Sequence, residues 1–293
     1  MTQTAASVST EKSTIVRTPR AAWPTRAAFA VLERIVPAVG GRWAQRLWFT
    51  LPPRHAPSRQ SSGALFAATV DGHEVVGEAW GDGPPIYLVH GWAGHRGQFA
   101  DFVEPLLARR LRVIAFDMPS HGDSAPGALG PRSSSFPEFT AALRGVVARF
   151  GHPRAIVAHS AGAVAAAGAL CDGMPADRLV LLAPMASPTS QARRFAAALG
   201  LGARGFAHMV TRIERRVGAP MRHFDLPELG RAVAMPPTLV IHDRDDRSTS
   251  VADGAAIAAA WPQARLTVTT GLGHNRLLRS PAVIANVVDF VAG

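Results

Sequence analysis

The 293-residue chain holds one cysteine, and only one of its 31 basic residues is a lysine. It also has no uncharged apolar run long enough to cross a bilayer. Each shortage excludes something. Cys171 alone cannot form an internal disulfide, so a reducing compartment, the cytoplasm, is the expected location. Its setting, GALCDG, places the thiol late in an apolar helix, where it behaves as a small core residue. The most apolar early stretch, AAFAVLERIVPAV, is interrupted by Glu33, Arg34 and Pro37, which argues against a transmembrane helix. The first twenty residues are polar and lack the apolar segment of a secretory signal. Histidines such as His55, His73 and His152 show no paired ligand spacing, so no metal site is expected. GLGARG, residues 200–205, matches GxGxxG, but no strand precedes it, which excludes dinucleotide binding there. No internal repeat is present.

The net charge of +10 is unevenly placed. Residues 1–60 carry Lys12 and eight arginines against Glu11 and Glu33 alone, which accounts for +7. The remaining chain is nearly balanced, so the basicity belongs to an extension, and a nucleic-acid partner is not expected. Residues 1–20 read as a disordered tail, rich in Ser and Thr. Residues 21–60 read as a basic amphipathic helical extension of two segments, WPTRAAFAVLERIV and GRWAQRLWFTLPP. Such segments either lie on an anionic membrane or pack on the domain that follows; packing is the favoured expectation.

From Ser61 the pattern changes. Two strand-like runs flank Asp71–Gly72, a hairpin signal. Continuous Val/Ile/Leu runs then alternate with helical stretches to the end of the chain. That alternation predicts an α/β fold over 61–293, with a mostly parallel twisted sheet, helices on both faces and an antiparallel edge hairpin. It breaks once, over about 188–234, where an arginine-rich helical stretch reads as a cap insertion.

Reactive groups of a parallel sheet gather beyond the carboxyl ends of its strands. Those ends read His90-Gly91-Trp92, Asp117-Met118-Pro119, His159-Ser160, Asp243 to Asp246, and Gly271-Leu272-Gly273-His274. Ser, Asp and His thus arrive in that chain order. Here the chain resembles the α/β-hydrolase superfamily over roughly residues 62–292. AHSAG is similar to the nucleophile elbow GxSxG, VHGWAG to the oxyanion-hole loop, and DMPSHGDS to the family's D-x-x-x-H-G-x-S loop. VIHDRDD resembles the strand end that bears the acid, and GLGHNRLL the histidine loop. Ala158 stands where the elbow pattern has Gly, and Ser120 where the family's loop often has Gly.

The resemblance implies Ser160 as nucleophile, His274 as general base then acid, and Asp246 as the orienting acid, with adjacent Asp245 as rival. It implies an oxyanion hole from the backbone amides of Trp92 and Ala161. His95, Met118, Met185, Phe206 and Met209 are candidate pocket residues. His90, His121 and His159 read as scaffold. The implied activity is hydrolysis of a small-molecule carboxylic ester or thioester through an acyl-enzyme, with no cofactor. Perhydrolysis or C–C hydrolysis by the same triad are the enzymatic alternatives. A non-catalytic ligand-binding or membrane-associated protein on the same scaffold is the alternative of another class. Acyl length and oligomeric state do not follow from the sequence.

Overall fold

The structure is a computed structural model that describes residues 21–52 and 63–293. The tail 1–20 and residues 53–62 of the extension lie outside the described residues.

Two helices come first, α1 (Trp23–Ile35) and α2 (Pro37–Phe49). The hairpin follows, β1 (Ala64–Val70) and β2 (His73–Trp80), then β3 (Pro85–Val89), α3 (Ala100–Leu107) and β4 (Arg112–Phe116). Next are α4 (Phe136–Phe150), β5 (Ala155–His159), α5 (Gly162–Cys171) and β6 (Leu179–Leu182). Three helices interrupt the alternation, α6 (Pro188–Leu199), α7 (Ala203–Val217) and α8 (Leu226–Ala232). The chain ends with β7 (Thr238–Asp243), α9 (Val251–Ala260), β8 (Ala264–Thr269), the one-turn α10 (Gly273–Arg276) and α11 (Pro281–Ala292).

The eight strands form one sheet in the order β1-β2-β4-β3-β5-β6-β7-β8. The hairpin is antiparallel and pairs antiparallel to β4; every other neighbour is parallel. Asp71 and Gly72 both have positive φ, 49° and 80°, the type I′ geometry that matches strand twist. Strand residues divide by period two between two core layers. Tyr87, Val89, Ile156, Ala158 and Leu181 face the side covered by α4, α5, α8 and α9. Ile86, Leu88, Val157, Val180 and Leu182 face the side covered by α3 and α11. Residues 162–170 of α5 are buried all round but for Gly168, which fits an alanine-rich helix crossing the centre of the molecule.

A third core layer lies above the carboxyl end of the sheet. Phe29, Ala44 and Phe49 from α1 and α2 pack there with Ala192, Leu199, Met209 and Ile213 from α6 and α7. The N-terminal helices and the 188–234 insertion therefore form one helical roof. The helix backbones nearly touch: a Cβ on Gly41 would lie 2.7 Å from the Gly205 carbonyl and 2.8 Å from the Met209 amide. The GLGARG segment is explained here. Its amides at Arg204 and Gly205 donate to the Glu33 carboxylate of α1, both at 2.9 Å, so a protein carboxylate occupies this helix N-terminus. No helix among the described residues is long and apolar enough to cross a membrane.

Candidate active site

Strand β5 delivers its last residues into a tight corner before α5. Ser160 has φ 54°, a left-handed conformation that costs a non-glycine residue on the order of 1–2 kcal/mol. The corner is held by three hydrogen bonds. Ser160 N donates to Leu182 O (2.9 Å), and Ser160 O accepts from Ala163 N (3.1 Å) and Met185 N (3.2 Å). Small neighbours are required on one side only. A Cβ on Gly162 would meet the Val89 and His90 carbonyls at 2.6 and 2.7 Å, and one on Gly91 would meet Ser160 Cβ at 2.8 Å. Ala158, by contrast, is accommodated in the core. Ser120 also adopts positive φ, 67°, where glycine would be free of strain. Its hydroxyl offsets this by donating to Gly130 O and accepting from Gly127 N, both at 3.1 Å.

Ser160 Oγ lies 3.0 Å from His274 Nε2, and His274 Nδ1 lies 2.7 Å from Asp246 Oδ2. A carboxylate only accepts, so the proton sits on Nδ1 and Nε2 offers its lone pair to the hydroxyl. Asp246 is buried and also receives the amides of Ser248 (2.7 Å) and Thr249 (3.0 Å) on its other oxygen. Burial acts to raise its pKa, but hydrogen bonds from His242 and His274 outweigh it and hold the carboxyl well below the usual range. The three aspartates of DRDD are separated by their partners. Asp243 braces the histidine loop, accepting from Leu272 N, Gly273 N and Thr269 Oγ1. Asp245 is exposed and accepts from Gly271 N at 2.8 Å. Of the three, only Asp246 reaches the imidazole.

Sequence reasoning missed two members of this network. Thr249 Oγ1 is 3.0 Å from Asp246 Oδ2, and the buried His242 places Nε2 at 3.4 Å from that hydroxyl. With His242 Nδ1 unpartnered, its proton belongs on Nε2, directed at Thr249 and Asp246. The only sequence signal was their position: one residue on the acid's strand, one three residues beyond the acid.

The β3–α3 loop passes beside the corner, and the amides of Trp92 and Ala161 donate to no group among the described residues. Two neutral histidines brace that loop. His90 Nε2 accepts from Met118 N (2.9 Å) while Nδ1 donates to Gly91 O (2.7 Å). His121 Nε2 accepts from Ala93 N (3.1 Å) while Nδ1 donates to Pro119 O (2.9 Å). Burial pushes His90 down to about 4 and His159 down to about 3. His159 Nε2 donates to the His274 carbonyl at 3.0 Å, so it holds the backbone of the other histidine. Behind the loop, buried Arg96 joins Glu78, Asp117 and Asp123, tying the β3–α3 loop to strand β2 and to the loop after β4.

Ser160 and His274 open into a cavity of about 620 Å³. Trp48 and Phe49 of α2, Phe195 of α6, and Ile213 of α7 supply apolar wall. Of the expected pocket residues, Met185 lines it, beside Trp92 of the expected oxyanion loop. Four others do not. His95 precedes the 3₁₀ turn Arg96–Phe99, which presents Gln98 instead. Met118 is fully buried in the core layer that contains Phe139. Met209 is sealed in the contact between α2 and α7, where Gly41 lets the helices meet. Phe206 sits under the Arg193 guanidinium, 5.4 Å away, and the wall formed by α7 begins only at Ile213. The walls from α2 were not foreseen, because no local pattern says that an N-terminal helix will roof a site more than a hundred residues away.

A family model described as "Alpha/beta hydrolase family" matches residues 86–287. A serine hydrolase-like protein of Danio rerio is 37% identical over 100 residues, which is 33% of this chain and 30% of that protein. The chain thus spans less than a third of that relative's length. A non-heme haloperoxidase of Rhodococcus erythropolis is 27% identical over 274 residues, covering 77% of this chain and 98% of that one. The crystal structure of an esterase from Rhodococcus sp. ECU1013 superposes with a TM-score of 0.57 at 21% identity, over 80% of this chain and 99% of that chain.

Proposed function

The chain belongs to the alpha/beta hydrolase family, and from that premise we propose a serine hydrolase that cleaves a carboxylic ester or thioester with an apolar acyl group. The observation that carries this reading is the hydrogen-bonded series Ser160–His274–Asp246, at 3.0 and 2.7 Å, at the mouth of an apolar cavity. Ser160 Oγ attacks the acyl carbon as His274 Nε2 takes its proton, and Asp246 stabilises the imidazolium. The oxyanion accepts from the Trp92 and Ala161 amides, each such donor contributing roughly 3 kcal/mol to the transition state. His274 then protonates the departing alkoxide or thiolate, leaving an acyl ester on Ser160. Water, deprotonated by His274, attacks that ester, and the His274 imidazolium returns the proton to Ser160 Oγ as the acid departs.

A fluorophosphonate probe labels the purified chain at Ser160 and fails to label Ser160→Ala. Nitrophenyl esters of increasing acyl length, paired with the corresponding thioesters, then give a maximum beyond butyrate. No labelling together with no turnover across the series contradicts the reading and favours a binding protein on this scaffold. The likeness to a non-heme haloperoxidase supports one variant of the same chemistry. There, hydrogen peroxide replaces water in the second step, forming a peracid, and peracid release in the same assays distinguishes it.

A further inference from the structure

Packing and membrane contact, set against each other in the sequence, are compatible in the fold. The buried faces of α1 and α2, with Phe29, Gly40, Gly41, Ala44 and Phe49, are committed to the roof. Much of their opposite faces is left uncovered by the described chain, although the Trp43 ring stacks on Phe29 at 4.5 Å. Trp23, Val31, Ile35, Val39, Trp43 and Leu47 are all exposed, Trp23 by 79% and Ile35 by 72%. Within α1 (Trp23, Val31, Ile35) and within α2 (Val39, Trp43, Leu47) they fall four or eight apart, the spacing that keeps side chains on one side of that helix. Val36, between the two helices, is exposed as well, and the large exposed apolar side chains elsewhere among the described residues are three scattered ones, Leu65, Val233 and Val268.

The rest of this face is equally selective. Every exposed residue between positions 22 and 47 is apolar or an arginine, the arginines being Arg34, Arg42 and Arg46. The one acidic residue of the two helices, Glu33, is engaged by the amides of Arg204 and Gly205. The face is therefore an apolar stripe beside uncompensated cations, and the indoles of Trp23 and Trp43 are its only exposed neutral hydrogen-bonding side chains. A protein partner is matched by a hydrogen bond for each 100–200 Å² or so of interface, whereas the exposed side chains of this face offer donors only, from its arginines and indoles. A bilayer with anionic headgroups needs only apolar insertion and positive charge. Neither helix can span it, so the fit is to lying in the interface.

We propose that the exposed face of α1 and α2 docks the protein on an anionic lipid bilayer. The last residue of the stripe, Leu47, also lines the cavity that contains Ser160, so docking sets the cavity rim at the membrane surface. This is independent of the hydrolase reading, because vesicle binding is read without any turnover.

The test is flotation of the full chain with vesicles of phosphatidylcholine alone or with about 30% phosphatidylglycerol, an anionic content chosen to give a strong surface potential. The chain floats with the anionic vesicles and little with the neutral ones, and raising salt from about 0.05 M to about 0.5 M releases much of it. Ile35→Glu/Val39→Glu, at exposed sites outside the cavity, lowers partitioning about tenfold or more with an unchanged melting temperature. Arg34→Gln/Arg42→Gln lowers it several-fold and flattens the salt dependence. No flotation overturns the proposal. So does undiminished flotation of both variants, which assigns binding to the basic residues of 1–20. A dimer that the Glu variant dissolves, without vesicle binding, overturns it in favour of a second copy of the chain.

Discussion

The carboxyl rim of the sheet and the helical roof above it are built on different principles. At the rim, each reactive side chain sits within a few residues of a strand end and is fixed by backbone groups of adjacent loops. Asp246 takes two amides and an imidazole, Asp243 takes three amides, and His90 and His121 each bridge two loops. In the roof, the contacts are mainly apolar, with Glu33 and Arg26 adding hydrogen bonds, and they join α1 and α2 to helices about 170 positions later. The rim is thus specified by hydrogen bonding between strand-end loops, and the roof by packing between helices remote in sequence. Chemistry should depend on the first, and the choice of substrate on the second.

The largest expected effect is at the rim. Ser160→Ala lowers kcat on any ester substrate by about 10⁴-fold or more without loss of stability. Asp246→Asn costs about 10⁴-fold, as expected when the imidazole loses its tautomer anchor, whereas Asp245→Asn stays within about threefold. Steady-state rates on one nitrophenyl ester compare the pair. A similar loss at both positions would remove the distinction drawn from their partners.

Backbone crowding at the corner is next. Gly162→Ala forces a methyl against the Val89 and His90 carbonyls and should cost about 3 kcal/mol in urea unfolding, against about 1 kcal/mol or less for Ala158→Gly. The roof gives a smaller and more selective change. Trp48→Ala, which opens the wall shared by α2 and Phe195, lowers kcat/KM for the preferred long-acyl ester about tenfold and for acetate about twofold or less. Equal losses on both esters would mean that the roof contributes to chemistry and not to selection.

Much of the rim was legible in the sequence because its residues carry local constraints. HSAG needs a glycine at 162, the His90 and Asp243 to Asp246 segments end apolar runs, and His274 follows Gly271 and Gly273, both with positive φ. The roof was not legible in that way. Met209 and Phe206 have the same local pattern as Ile213 on α7, yet only Ile213 reaches the cavity, because α2 covers the first half of that helix. Nothing local to α2 announces that covering. Gly41 and Gly205 acquire their meaning only when the two helices meet.

The smallest effect expected is a slope. His90 and His159 are neutral in the folded chain and protonate only near pH 4 and 3, whereas in the unfolded chain they protonate below about 6.5. Unfolding therefore takes up protons as pH falls, and the stability present above about pH 6.5 is lost toward pH 4. Each ring contributes about 1 kcal/mol per pH unit over that window, read from urea midpoints. His90→Gln should lower the slope by about half.

The central claim is that the rim performs acyl transfer through Ser160. Rapid quenching of the protein with a slowly hydrolysed nitrophenyl ester, followed by peptide mass spectrometry, tests it most directly. The account predicts the acyl mass on the peptide containing Ser160, formed with a stoichiometric burst of nitrophenol and absent from Ser160→Ala. Turnover that persists in Ser160→Ala, or a burst whose acyl group lies on another residue, would contradict it.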